Sequence, residues 1–83
     1  MNIYVANINF RAQEEQLKEL FQQYGEVASV KIVTDRETGR SRGFAFIEMP
    51  NDSEGKAAID KLNGVAFLDR NLVVNEARPS KGR

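Results

Sequence analysis

The stretch RGFAFIEM, residues 42–49, restricts the fold more than any other part of the chain. Read as a strand, it places Phe44, Phe46 and Glu48 on one face and Ala45, Ile47 and Met49 on the other, because successive side chains point to opposite sides of the pleat. Only one set can meet a core. Burying the phenylalanines would take Glu48 in beside them with no visible cation, and an unpaired buried carboxylate is far too costly unless neutralised. The rings therefore face outward and the aliphatic set inward. Ile3 to Ile8, the first strand by its alternation and β-branched content, divides in the same way: Ile3 and Val5 make an inward pair and Tyr4 lies opposite.

The remaining periods set the order of elements. Leu17, Leu20, Phe21 and Tyr24 recur at helical spacing, with Gly25 as the expected left-handed stop and Ala12 as a poor cap at a loosely bounded start. Val27 to Val33 reads as a second strand with Val30 and Ile32 on one side, and TDRETGRSR follows as a polar, turn-rich loop. Beyond the third strand, Asn51 caps a second helix with Glu54 three residues on; Gly55, Ala58, Ile59 and Leu62 form its inward stripe, and Asn63 and Gly64 end it. Gly55 costs about 1 kcal/mol against alanine inside a helix, which implies close approach to the sheet or a weak helix. VAFLDRN is a short irregular or hairpin connection, Leu72 to Glu76 a fourth strand, and RPSKGR a basic tail.

Strand, helix, strand, strand, helix, strand is the order of an α+β, ferredoxin-like βαββαβ sandwich: a four-stranded antiparallel sheet with both helices on one face. The expected division is one domain over residues 1–78 and a short basic tail over 79–83. The first and third strands are central neighbours in this topology, so Tyr4, Phe44 and Phe46 gather on the uncovered face. An exposed aromatic patch of that kind usually marks a binding surface. Planar rings edged by arginines suit nucleobases, which stack, and phosphates, which guanidinium groups hold. Gly43 permits close backbone approach beside the first ring, or is simply a strand-entry glycine.

Composition excludes most chemistry. The 83 residues include no cysteine and no histidine, which removes disulfides, thiolate or imidazole ligands and the usual acid–base group near neutral pH. With no paired carboxylate site and no phosphate-cradling glycine loop either, the reading is a noncatalytic domain without cofactor or metal. No apolar run approaches the roughly 20 residues needed to cross a bilayer, and MNIYVANI lacks the features of a signal peptide. The expectation is a monomer without membrane association, cytoplasmic if bacterial and otherwise intracellular. Twelve Lys and Arg balance twelve Asp and Glu, so only the distribution of charge is informative. Arg36, Arg40, Arg42, Arg78, Lys81 and Arg83 lie mid-chain or at the end, whereas Glu14, Glu15, Glu19, Asp52, Glu54 and Asp60 lie in the helical segments, a pattern that gives one basic and one acidic face.

RGFAFIEM resembles the eight-residue signature of the RNA recognition motif at every position but the last, and IYVANI, residues 3–8, is similar to that family's six-residue signature. LKELFQQYGEV, TDRETGRSRG, LNG and NEARP are also similar to family sequence, so the resemblance covers nearly the whole chain. A short chain that begins at the first strand is most like small single-domain bacterial members, including cyanobacterial ones. The resemblance implies binding of single-stranded RNA, with single-stranded DNA as a further possible ligand. It implies that Tyr4 and Phe46 stack on successive bases, that Phe44 packs against riboses and that Arg42 pairs with a phosphate. Lys31 is a second phosphate candidate, and Asn75, Glu76, Ala77 and Arg78 match the stretch that touches base edges. Three departures stand out: Met49 in place of a terminal aromatic, Ala12 and Gly55 in place of better helix residues, and zero net charge. The rival reading is a protein-interaction domain of the same fold that uses the aromatic face or the helices.

Overall fold

In the computed structural model, which describes residues 1–39 and 41–77, the elements run β1 (Asn2–Ala6), α1 (Glu14–Gln22), β2 (Ser29–Thr34), β3 (Ser41–Glu48), α2 (Asp52–Leu62), β4 (Ala66–Phe67), β5 (Arg70–Asn71) and β6 (Val73–Glu76). Arg40, Arg78 and the tail 79–83 lie outside the described residues, as do the side chains of Ser41 and Arg42. The main sheet is antiparallel in the order β2-β3-β1-β6, with β1 and β3 at its centre, and β4 and β5 form a separate hairpin. This is the expected ferredoxin-like sandwich. Among the described residues no helix is long and apolar enough to cross a membrane.

The pleat divides the chain as its alternation requires. Ile3, Val5, Ala45, Ile47 and Val74 are buried, paired across the sheet as Ile3 with Ile47 and Val5 with both Ala45 and Val74. Leu17 and Phe21 of α1 and Ala58 and Leu62 of α2 close over them, and Met49 joins the same cluster. Full burial of such side chains stabilises by about 1.5–3 kcal/mol each. Among the described residues no polar or charged side chain is buried, so the core holds by apolar packing alone.

Side chain to backbone bonds fasten the layers and correct several boundaries. α1 starts at Glu14 behind Gln13, whose N–H donates to Gln16 Oε1 at 2.9 Å. Ala12 is therefore not a weakened helix residue but a buried core contact ahead of the helix. Glu14 accepts from the N–H of Ile32 at 3.1 Å and so covers part of the free edge of β2. β1 stops at Ala6, short of Ile8, because Asn7 turns the chain at φ 59°. Asn51 caps α2 through its Oδ1 on Glu54 N–H, 3.0 Å, and Asn63 at the other end accepts from Val74 N–H, also 3.0 Å. Gly55 is buried against the side chain of Met1, just ahead of β1, rather than against the sheet strands, and an added Cβ would lie 2.6 Å from Met1 Sδ.

Gly25 departs from expectation. Its φ is not positive, and α1 has already ended at Gln22 with Gln23 right-handed behind it. The glycine is needed for space, because an added Cβ would collide with Glu54, whose carboxylate lies over Gly25 and accepts from Glu26 N–H at 3.1 Å. Glu54 thus turns away from the reciprocal cap with Asn51 and ties α2 to the α1–β2 connection. A glycine outside the positive-φ region, replaced by alanine, ordinarily gains about 0.4–1 kcal/mol through the unfolded chain. Here Gly25→Ala should instead lose about 1–3 kcal/mol by forcing Glu54 aside. Urea unfolding measures the sign, and a gain in stability would show that Glu54 does not occupy that space.

Candidate nucleic-acid interface

The register of the two central strands assembles the site. Tyr4 lies opposite Phe46 and Ala6 opposite Phe44, so three rings from two strands meet on the face away from the helices. Ring centroids are 5.9 Å apart for Tyr4 and Phe44, 5.7 Å for Tyr4 and Phe46 and 6.2 Å for Phe44 and Phe46, the last pair edge to face. These separations fall in the range where aromatic pairs contribute about 0.5–1.5 kcal/mol each. The rings hold one another in place while Phe46 stays 42% exposed and the other two half-buried. A partner with planar groups meets a platform that needs little ordering.

β3 reaches this geometry through an irregularity. Between the pairs Ile32 with Ala45 and Thr34 with Ser41 the register shifts, and Gly43 takes up the extra length at φ +86°. That conformation favours glycine, which gives Gly43 a backbone role beside Phe44. Arg42 precedes it within β3.

The other expected residues are placed unequally. Lys31 pairs with Phe46 from β2 and is exposed, so it stands beside the rings. Asn75 pairs with Tyr4 from β6 on the opposite flank. Ala77 extends the strand pairing, donating its N–H to Asn2 O at 2.8 Å, and borders a cleft of about 320 Å³ with Lys31, Phe46 and Glu48. Glu76 pairs with Ile3 and shares the pleat face of buried Val74, so its exposed side chain belongs to the rim rather than to the ring-bearing face. The helices carry Glu14, Glu15, Glu19, Asp52 and Asp60 exposed on the far layer, as the charge pattern suggested. The segregation is partial, because Lys18, Lys56 and Lys61 share those helices and Glu48 shares the face of the rings. Among the described residues no group of three or more His, Cys, Asp or Glu gathers as a metal site.

Sequence reasoning missed one part of this surface. Beyond the Ala6 end of the platform a second cleft, about 310 Å³, is bordered by Tyr4, Phe44, Gly43, Phe10 and Arg70. Phe10 lacks any periodic partner in the sequence, and Arg70 falls in the segment read as a mere connection. The available signal was hydrophobicity out of phase: a phenylalanine in a polar loop with no helix or strand face to join.

Comparison with known proteins agrees with this geometry. Residues 3–73 match the RNA recognition motif family. The "Putative RNA-binding protein RbpD" of Nostoc sp. is 53% identical over 79 residues, covering 95% of this chain and 84% of that protein. The crystal structure of the RNA binding protein PG1 superposes with a TM-score of 0.91 at 52% identity, covering 96% of this chain and 99% of the other. The Rna15 domain with bound RNA (GU) superposes with a TM-score of 0.84 at 32% identity, covering 96% and 85%. Two signature strands side by side, three rings on their open face and this match over most of its length establish that the chain belongs to the RNA recognition motif family.

Proposed function

We propose that the chain binds single-stranded RNA on the open face of its sheet, without catalysis. The observation that carries this reading is the ring triangle of Tyr4, Phe44 and Phe46 on the open face of the central strands, braced by mutual contact. Tyr4 and Phe46 stack on successive bases and Phe44 packs against ribose. Arg42 and Lys31 take phosphates. Asn75, Ala77 and Arg78 contact base edges where the strand leaves the sheet, and Glu76 contributes from the rim. Bound RNA on the Rna15 domain, a relative of the same fold, supports the assignment of the ligand. Single-stranded DNA stacks on the same rings, and contacts to the 2′-hydroxyl would set the preference for RNA. The protein acts as a monomer without metal or cofactor, inside the cell and in the cytoplasm if its source is bacterial. The domain ends near residue 78, and the basic tail adds charge only.

Magnitudes place the affinity. Stacking contributes about 1–3 kcal/mol per base, so two or three rings supply a gross of about 2–9 kcal/mol against the roughly 8 kcal/mol of micromolar binding. Stacking dominates because net charge is nil. Titration of a fluorescently labelled random RNA should show Phe46→Ala and Tyr4→Ala weakening binding by about 1–3 kcal/mol with the folded circular dichroism spectrum kept. Unfolding of either variant would contradict the outward assignment of the rings, and unchanged affinity would favour recognition of a protein instead.

Salt dependence separates stacking from charge. With about three phosphates neutralised, the slope of log K against log salt on a single strand is near −2. A slope steeper than about −4 would assign binding to the basic loop and tail.

A further inference from the structure

The cleft beyond the Ala6 end of the platform has a built interior that the ring triangle does not explain. Phe10 is the most exposed of the large apolar side chains described, at 66%, and it lines this cleft together with the guanidinium of Arg70. Asn7 Oδ1 accepts from Arg70 Nε at 3.3 Å and Nη2 at 3.0 Å, which consumes one edge of the fork and leaves the Nη1–Nη2 edge unused among the described residues. The hairpin that carries Arg70 is held against its own preference. Its two central residues, Leu68 and Asp69, adopt φ of 50° and 68°; Asp suits such a turn, whereas leucine at positive φ does not. Two amides hold it down: Asn9 Nδ2 donates to Leu68 O at 2.9 Å and Asn7 Nδ2 to Asn71 O at 2.7 Å. Strain of this kind persists where surrounding contacts over-determine it, and it concentrates at ligand clamps.

We infer that this cleft is a further nucleotide subsite, in which Phe10 stacks on one more base of the bound strand and the free edge of Arg70 holds the phosphate linking it to the nucleotide on Tyr4 and Phe44. This rests on the RNA-binding reading above and extends it past the signature residues. Continuity argues for it, since Tyr4 and Phe44 border the cleft and the ring platform alike. So does charge: no acidic residue lines this cleft, whereas Glu48 lines the one at the opposite end of the sheet. Size agrees as well, because about 310 Å³ lies at the small end of the roughly 300–1,000 Å³ of ligand sites and suits a single nucleotide. Two platforms on one cleft leave the backbone to cross between them, where a preset, planar cation with two free donors matches two phosphate oxygens.

The test is a salt-series titration of a labelled random RNA octamer against the wild-type chain and the variants Phe10→Ala, Arg70→Ala, Arg70→Lys and Phe46→Ala. Phe10→Ala should weaken binding about tenfold at an unchanged salt slope. Arg70→Ala should flatten the slope by about 0.7, and Arg70→Lys should restore it, a readout that a merely structural role for Arg70 would not move. Binding that depends on Phe46 but not on Phe10 overturns the subsite and leaves the parent reading intact. An unchanged slope in Arg70→Ala, with or without altered preference among homopolymers, overturns the phosphate assignment. Failure of the wild-type chain to bind at all removes the parent reading and the subsite together.

Discussion

A strand that carries two phenylalanines and a glutamate on one face cannot turn that face to an apolar core, and the architecture is organised around this constraint. Glu48 would have to be neutralised or paired to be buried, and no buried polar group exists among the described residues to pair with it. The inward side of β3 is left to Ala45 and Ile47, which the helices cover to near-zero exposure. Since β1 pairs with β3 in register, Tyr4 is carried to the same open side as Phe46. One desolvation cost thus separates a core from a binding surface across a single sheet.

The layers that seal the reverse are joined by a few polar contacts at their margins rather than within the core. Glu14 links α1 to β2, Glu54 links α2 to the connection after α1, and Asn63 links the end of α2 to β6. Each satisfies a backbone N–H, and the two glutamate contacts are exposed enough to avoid a large desolvation penalty. The sheet face keeps its polar contacts at its ends. There the asparagines at 7 and 9 fasten the β4–β5 hairpin, and the rings between stay clear for a ligand.

The parts of this molecule that follow from alternation and period were legible in the sequence. The element order, the inward sets on β1 and β3, the caps at Asn51 and Asn63 and the outward rings all rest on spacing that one chain displays. The rest depends on distant partners. Gly25 reads as a helix stop until Glu54, from another element, is seen to occupy its Cβ position. Ala12 reads as a poor helix residue until the helix is found to start after it. Glu76, by contrast, shares the pleat face of buried Leu72 and Val74, a placement that the alternation of the strand already encodes. Phe10 and Arg70 line one cleft because two asparagine side chains fasten the hairpin to the segment after β1, and no local period encodes that.

Function follows from the same division. A braced aromatic surface on a rigid sheet can accept planar bases at little ordering cost, and a neutral chain must rely on that stacking more than on long-range attraction. The most direct measurement is nuclear magnetic resonance of the aromatic side chains of Tyr4, Phe44 and Phe46 while a short single-stranded RNA is added. The account predicts large upfield shifts of the Tyr4 and Phe46 rings and a smaller change at Phe44, which meets ribose, with the resonances of Leu17, Phe21 and Ala58 nearly still. Shifts confined to the helical layer, with the three rings unmoved, would contradict the account.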